Sequence, residues 1–223
     1  MLSGYHTAAR SNCAGAAMVE FQIVALFALL PLCLGMLQAA FLLAENHHID
    51  HAAFLAARHA AMAHGEVAAA RRAFSQAASV LFVSSGEPVD AANVPQRAAA
   101  AIAAAAADQA LFARINILSP DAAAQHDFAI QRAGARVIPN DSLEYRSRMP
   151  GRRSGLTLQQ ANLLRLEVEW CRPLIVPFAR EMLLGALRLF DREPWRQSCY
   201  AAGRVPIRSE GTSPMQSDFK VSS

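Results

Sequence analysis

The sequence has little net charge, and this argues against several classes of function. Its 223 residues contain 21 Lys and Arg and 18 Asp and Glu, which give a formal net charge of +3. A nucleic-acid binder usually carries a much larger and clustered basic excess, so we expect no nucleic-acid partner. The length allows one membrane anchor and one modest globular domain.

The motifs that mark enzymes are also missing. The chain has no glycine-rich phosphate loop after a strand, no G-x-S-x-G motif, no zinc signature and no pair of carboxylates in a setting that raises one pKa. Glu167 and Glu169 stand two apart on the polar side of a predicted strand, where Arg165, Arg172 or water would neutralise them. We therefore expect no catalytic residue, no cofactor and no metal site.

Charge is absent altogether from one long stretch. The 23 residues Phe21–Leu43 contain no charged side chain, and a helix of this length spans roughly 34 Å, enough for a hydrocarbon layer of about 30 Å. A cleaved signal peptide is the competing interpretation, but its apolar region is usually shorter and ends at an A-x-A-like site. We expect a retained transmembrane helix at 16–44. Arg10 before it and Glu45 and Asp50 after it favour a cytoplasmic N-terminus.

An acidic residue at the mouth of this helix needs an explanation, because an ionised carboxylate costs about 2.5–3.5 kcal/mol at the bilayer centre. Gly15 lies five residues before Glu20, Phe21 follows it, and a short basic leader precedes Gly15. Together with the apolar helix, these residues resemble the processing site of type IV prepilins of the Tad/Flp class. In that family a prepilin peptidase cuts after the glycine. The resemblance implies that residues 1–15 are a leader and that the new amine of Ala16 pairs with Glu20 of a neighbouring subunit.

The residues after the apolar helix extend this resemblance. Residues 52–61 read A-A-F-L-A-A-R-H-A-A, similar to the Ala- and Arg-rich segment of TadE-like and TadG-like minor pilins, and the similarity covers 15–61. It implies a single-pass protein of the bacterial inner membrane with a periplasmic C-terminal domain that acts in pilus biogenesis or adhesion, either from the membrane or as part of the pilus. Other pilins and the assembly-platform proteins of the Tad system would be its partners. A single-pass protein with a periplasmic sensing or binding domain remains the alternative.

Four residues of the apolar helix are candidates for helix packing. Pro31 removes a backbone donor and predicts a kink over Phe27–Pro31, while Gly35 allows another helix to approach closely. Gln22 and Gln38, near the two ends, are expected to hydrogen-bond neighbouring helices.

Beyond the membrane the sequence predicts an α+β fold. Only Gly65 interrupts 45–83, which predicts a helical stem continuing the membrane helix into solvent. The domain at 84–216 is expected to pack helices on a short antiparallel sheet, followed by a flexible tail at 217–223. Its predicted elements are a helix at 97–112, strands at 114–118, 135–138 and 164–171, and a helix at 177–190.

Two of these elements carry further predictions. The strand at 164–171 alternates apolar and charged residues, so one face should be buried and the other wet. The helix at 177–190 has an apolar stripe that we expect to cover the sheet, with the membrane surface as the alternative. That stripe consists of Phe178, Met182, Ala186 and Phe190.

Cysteine positions complete the sequence analysis. Cys13 would leave with the leader and Cys33 lies in the membrane, so Cys171 and Cys199 remain for the exported domain. In an oxidising periplasm we expect a disulfide between them, which would contribute roughly 3–4 kcal/mol. Two free buried thiols are the alternative.

Overall fold

The computed structural model describes residues 14–83, 90 and 92–221. Most of the predicted leader, including Cys13, lies outside the described residues, as do 222 and 223 of the predicted tail. The side chains at 14–17 and 177–179 also lie outside the described part, and they include those of Ala16 and Phe178.

The described residues form a mixed helical and sheet fold with a long apolar helix at its N-terminus, as the sequence predicted. The helices are α1 (Ala14–Val24), α2 (Leu30–Met62), α3 (Val67–Ala78), α4 (Val94–Phe112), α5 (Ala122–Phe128), α6 (Leu158–Ala161), α7 (Pro177–Phe190) and α8 (Pro194–Ala201). The strands are β1 (Ala113–Ser119), β2 (Ile130–Arg132), β3 (Ala135–Ile138), β4 (Leu163–Pro173), β5 (Arg204–Pro214) and β6 (Phe219–Lys220).

The strands make two small antiparallel sheets. The main sheet has the order β1-β4-β5, with Trp170 of β4 opposite Ala113 and Ile207. The second sheet has the order β2-β3-β6, and its β2–β3 hairpin turns through Ala133 and Gly134, both at positive φ. Positive φ at both central residues gives the turn the twist that a tight hairpin requires. The strands predicted at 114–118, 135–138 and 164–171 are all present.

A nearly continuous helical rod runs through α1 and α2. Five residues between them, Ala25–Leu29, form a π-helical turn just before Pro31. Proline lacks the N–H for the usual helical bond and crowds the preceding turn, so this irregularity lies where the kink was predicted. Within the described residues Met18–Met62 is the one stretch long and apolar enough to cross a membrane by length and composition.

The prediction of a solvated stem at 45–83 is wrong in two respects: the chain reverses within it, and its first part is buried in the domain. α2 ends at Met62, the chain reverses through His64 and Gly65 in left-handed conformations, and α3 packs back along α2. A Cβ at Gly65 would also overlap the ring of Phe219, so glycine suits this turn for both its backbone and its lack of a side chain. The C-terminal half of α2 is a core helix of the domain, not a solvated extension.

Small residues allow α2 to lie against the main sheet. Its buried face is almost entirely alanine, and Ala52, Ala53, Ala56 and Ala57 are fully shielded from solvent. Opposite them a Cβ at Gly211 of β5 would overlap the backbone carbonyl of Ala53. The backbones of α2 and β5 are therefore in direct contact at Gly211 and Ala53. Larger side chains at these positions would hold the two backbones further apart.

The core between these helices and the sheet is filled by β4. Leu164, Leu166, Val168 and Trp170 are all fully buried, as the alternating pattern predicted. The Phe74 ring of α3 meets the Trp170 ring edge to face, with centroids 5.2 Å apart. This geometry is favourable between aromatic rings.

The predicted flexible tail is wrong for the part of it that the structure describes. Phe219 pairs with Ile138 through β6 and is buried against the turn that ends α2. Asp218 accepts a hydrogen bond of 2.8 Å from the backbone N–H of Asn140. Residues 217–221 thus fasten the second sheet to the end of the long helix.

Candidate functional site: the apolar helix and its junction with the domain

The N-terminal half of the long helix leaves its apolar side chains uncovered. Between 18 and 37 most large apolar residues are at least half exposed, and Phe27 is 74 % exposed. An uncovered apolar surface of this extent marks a site for a membrane or for other protein chains. By contrast, the same helix from Ile49 onwards has one face buried in the domain. One rod therefore has two different surroundings.

The residues of the predicted processing site lie at the start of this rod. Gly15 and Ala16 belong to the first turn of α1, and Glu20 and Phe21 follow on its second turn, about 7.5 Å further along the axis from Gly15 to Glu20. Glu20 and Phe21 are both exposed. Within the described residues Glu20 has no hydrogen-bond or ion-pair partner, so its carboxylate is available to a group from outside.

Of the four predicted packing residues, Gln38 is already bonded within the chain. Its side chain is buried, and its Oε1 accepts a hydrogen bond of 2.8 Å from the backbone N–H of Val176. Gln38 thus hydrogen-bonds the residue that caps a neighbouring helix of its own chain, α7. Gln22 is exposed, and a Cβ at Gly35 would meet no atom within 4 Å, so both remain open to a partner.

α7 does not cover the sheet as predicted. It packs against α2 and α8 through Leu184, which is buried with Leu174 and Tyr200 at the end of the sheet. Between α7 and the apolar part of α2 lies an open groove of about 730 Å³. Pro31 and Gly35 line this groove from one side and α7 from the other.

Polar contacts fix the long helix against the domain above this groove. Glu45 of α2 accepts hydrogen bonds of 3.3 Å from two nitrogens of Arg172. Asp50, one and a half turns further on, accepts a hydrogen bond of 2.6 Å from Ser209 of β5. These contacts set the rotation of the helix relative to the sheet, since each joins one α2 position to one strand position.

Arg172 is the centre of a buried network at this junction. Its guanidinium lies over the ring of Trp170, 4.5 Å from the centroid, and 3.8 Å from an oxygen of Asp108. Asp108 also accepts a 2.8 Å hydrogen bond from the indole N–H of Trp170 and pairs with Arg204 at 2.7 Å. A buried arginine is tolerated where every donor direction meets charge or an aromatic face.

The outer face of β4 is less wet than predicted. Glu169 is only 2 % exposed and lies between Arg114 and Arg196, the latter at 3.0 Å. Burial acts to raise the pKa of Glu169, but hydrogen bonds and charge from Arg114 and Arg196 outweigh it and hold that pKa below its usual value. Glu167 is similarly buried against Arg208. The arginines that neutralise these two carboxylates are therefore Arg114, Arg196 and Arg208, and not Arg165 or Arg172 as predicted.

Tyr200 extends the same network towards α7. Its hydroxyl donates a hydrogen bond of 2.8 Å to Asp191, directly after α7. Burial and the bond to Asp191 raise the pKa of Tyr200 to about 12. Asp191 also forms an ion pair with Arg196 of α8 at 3.5 Å. This ion pair holds the end of α7 close to the start of α8.

The predicted disulfide is present. Cys171 of β4 and Cys199 of α8 are bonded, with Cα atoms 5.7 Å apart. The loop it closes contains all of α7. Cys33 is a free, exposed cysteine on the apolar helix.

No family model, curated protein or solved structure matches this chain. Within 14–83, 90 and 92–221 no group of three or more His, Cys, Asp or Glu side chains is arranged to hold a metal ion.

Proposed function

We propose that this chain is a minor pseudopilin or pilus-assembly protein of a Tad/Flp type IVb system, anchored in the bacterial inner membrane with its folded domain in the periplasm. The observation that carries the proposal is the position of Glu20: an exposed carboxylate without a partner in the described residues, at the head of an uncovered apolar helix and five residues after Gly15. Lipid offers an ionised carboxylate no favourable contact. The amine of a neighbouring subunit would stabilise it by pairing with its charge.

In this proposal a prepilin peptidase cuts between Gly15 and Ala16 and creates a positive amine. That amine approaches Glu20 of an adjacent subunit, where the low dielectric strengthens their attraction. The exposed apolar residues between 18 and 37 then pack against lipid or against helices of other pilins. The chain itself supplies no catalysis and acts as the substrate of the peptidase.

Peptidase processing provides the first test. Full-length chain co-expressed in membranes with a prepilin peptidase should acquire a mature N-terminus at Ala16, and Gly15→Ala should abolish that cleavage. Gly35→Ala is the matched control, because it changes a glycine further along the same helical rod that has open space around it. Cleavage at another position, or equal cleavage of Gly15→Ala, contradicts the proposal and favours an uncleaved anchor with a sensing or binding domain.

The role of Glu20 is tested separately from processing. Glu20→Gln keeps the size of the side chain and removes its charge, so membrane insertion and cleavage should persist while assembly with other pilins fails. Glu181→Gln, which removes an exposed carboxylate of the domain in the same way, should leave assembly intact. Normal piliation by Glu20→Gln would remove the charge-pair mechanism.

A further inference from the structure

The side of α7 that faces away from the domain is apolar and uncovered. Leu184 on the inner side is 3 % exposed, whereas Met182, Leu189 and Phe190 are 63 %, 76 % and 86 % exposed. At about 100° per residue these three and Ala186 fall within about 100° of helical arc, so they form one continuous strip. We call Met182, Ala186, Leu189 and Phe190 the outer strip.

Charge is confined to the other side of α7. Glu181 and Arg188 are placed about 140–160° around the helix from Ala186, the middle of the outer strip. Arg180 pairs with Glu181 at 3.0 Å, and Arg188 donates to the backbone carbonyl of Tyr200. The helix therefore carries its charges on one side, where Arg188 bonds the domain, and the exposed apolar residues of the outer strip on another.

The outer strip faces the uncovered part of the long helix. Val176, which directly precedes α7, is bonded to Gln38, and the groove between the two helices is lined by Gly35 from α2 and by Met182 and Ala186 from α7. Met182 and Ala186 of the strip thus lie beside α2 around Gln38 and towards its N-terminal side, next to apolar side chains such as Leu32 that are themselves exposed. The two uncovered surfaces are continuous across the groove.

Lengths place α7 at the edge of the hydrocarbon layer if the long helix spans it. From Phe21 to Gln38 the helix rises about 26 Å, close to a hydrocarbon thickness of about 30 Å. α7 has 14 residues and is about 21 Å long, too short to cross the layer and long enough to lie along its surface. Gln38 enters this boundary with its amide oxygen already hydrogen-bonded, which lowers the cost of its position.

We propose that α7 is an interfacial helix that inserts its outer strip into the acyl region of the periplasmic leaflet, with phospholipid as its binding partner. The inference rests on the proposed function only in requiring that the long helix spans the bilayer; it does not depend on pilus assembly. With α7 at the membrane surface, the transmembrane span predicted at 16–44 ends near Gln38. The folded domain then lies directly against the surface of the membrane.

Depth-dependent fluorescence quenching tests the proposal on the full-length chain in phosphatidylcholine nanodiscs. Phe190→Trp places a reporter on the outer strip, and Tyr145→Trp places one on an exposed site of the domain; neither removes a buried side chain, since the two residues are 86 % and 85 % exposed. Lipids brominated at mid-chain should remove most of the added emission of Phe190→Trp and little from Tyr145→Trp. Aqueous acrylamide should do the reverse. The emission of the native Trp170 and Trp195 is subtracted using the unmutated chain.

A third reporter, Phe27→Trp, separates failure of this inference from failure of the membrane span. If Phe27→Trp is quenched by brominated lipid but Phe190→Trp is quenched only by acrylamide, the span stands and α7 lies in water. If Phe190→Trp is shielded from both quenchers, protein covers the outer strip and the lipid proposal is overturned. If Phe27→Trp is not quenched by brominated lipid, both the span and the interfacial helix are overturned.

Discussion

Gly211 is the single residue on which the contact between α2 and the main sheet most depends. Because an added Cβ would overlap the Ala53 carbonyl, Gly211→Ala must push the helix from the strand, and we expect it to lower the free energy of unfolding by about 1–3 kcal/mol. Urea denaturation in detergent, followed by circular dichroism, measures this. Gly185→Ala is the matched control, since that helical position has open space and alanine favours a helix. Equal stability of the two variants would show that the backbones are not in contact.

Because of Glu169, the free energy of unfolding depends on pH. Its folded pKa lies below its usual value near 4.5, so the ionised form favours the folded state. That contribution is complete above about pH 4.5 and is lost as pH falls through the lower folded pKa. We expect Glu169→Gln to be less stable by about 1–3 kcal/mol at pH 7, with the difference shrinking as the buffer is acidified.

Chemical denaturation at a series of pH values measures that difference. Glu181→Gln, an exposed carboxylate beside Arg180, serves as control and should follow the unmutated chain at every pH. A gap between Glu169→Gln and the unmutated chain that stays constant below pH 4 would contradict the assigned charge cluster.

Local patterns predicted the buried residues better than their polar partners. The apolar face of β4 follows from a period of two and needs no knowledge of the rest of the fold. Glu169, in contrast, pairs with Arg114 and Arg196, which are 55 and 27 residues away. Gln38 bonds Val176 across 138 residues. No spacing in the sequence specifies such contacts, because the fold alone brings them together.

At the scale of elements, the disulfide controls α7. The bond between Cys171 and Cys199 closes a loop with a sequence separation of 28, and a loop of this size contributes about 3–4 kcal/mol on the chain-entropy model. We expect the double variant Cys171→Ser, Cys199→Ser to lose that stability and to exchange amide hydrogens faster in α7 and α8 than in α3. Hydrogen–deuterium exchange with mass spectrometry reports each helix.

Cys33→Ser is the control for that experiment, because Cys33 is free and exposed. Its exchange should match that of the unmutated chain. Unchanged protection of α7 in the double variant would mean that α7 is held by its packing alone.

The misplaced elements share a physical cause. Nothing within 45–83 shows that the chain reverses at Gly65, because one glycine in a helical pattern is compatible with a continuous helix; the ring of Phe219, far along the chain, occupies the space a side chain would need. Likewise, the predicted apolar stripe of α7 does not show which side of the helix meets the domain, because Met182 and Phe190 of that stripe are exposed and Leu184 is buried instead. The helix starts, by contrast, follow local signals, as Thr157 shows by capping α6 with Gln160.

At the scale of the whole molecule, one helical rod joins an uncovered apolar half to a folded domain built around its other half. Contacts from Glu45 and Asp50 fix the domain to the rod, so its position follows that of the helix. In the proposed function, packing of the apolar half with lipid and neighbouring pilins therefore determines where the domain is displayed. The fold class and the long apolar helix could be predicted from the sequence, whereas the burial of its C-terminal half and the position of α7 beside the rod could not.

The N-terminus of the mature protein tests the proposed function most directly. Intact-mass and N-terminal peptide analysis of the protein taken from membranes of piliated cells should find a chain that begins at Ala16, with the first fifteen residues removed. A chain from the same cells that still begins at Met1 would contradict processing by a prepilin peptidase, and with it the role proposed for Glu20.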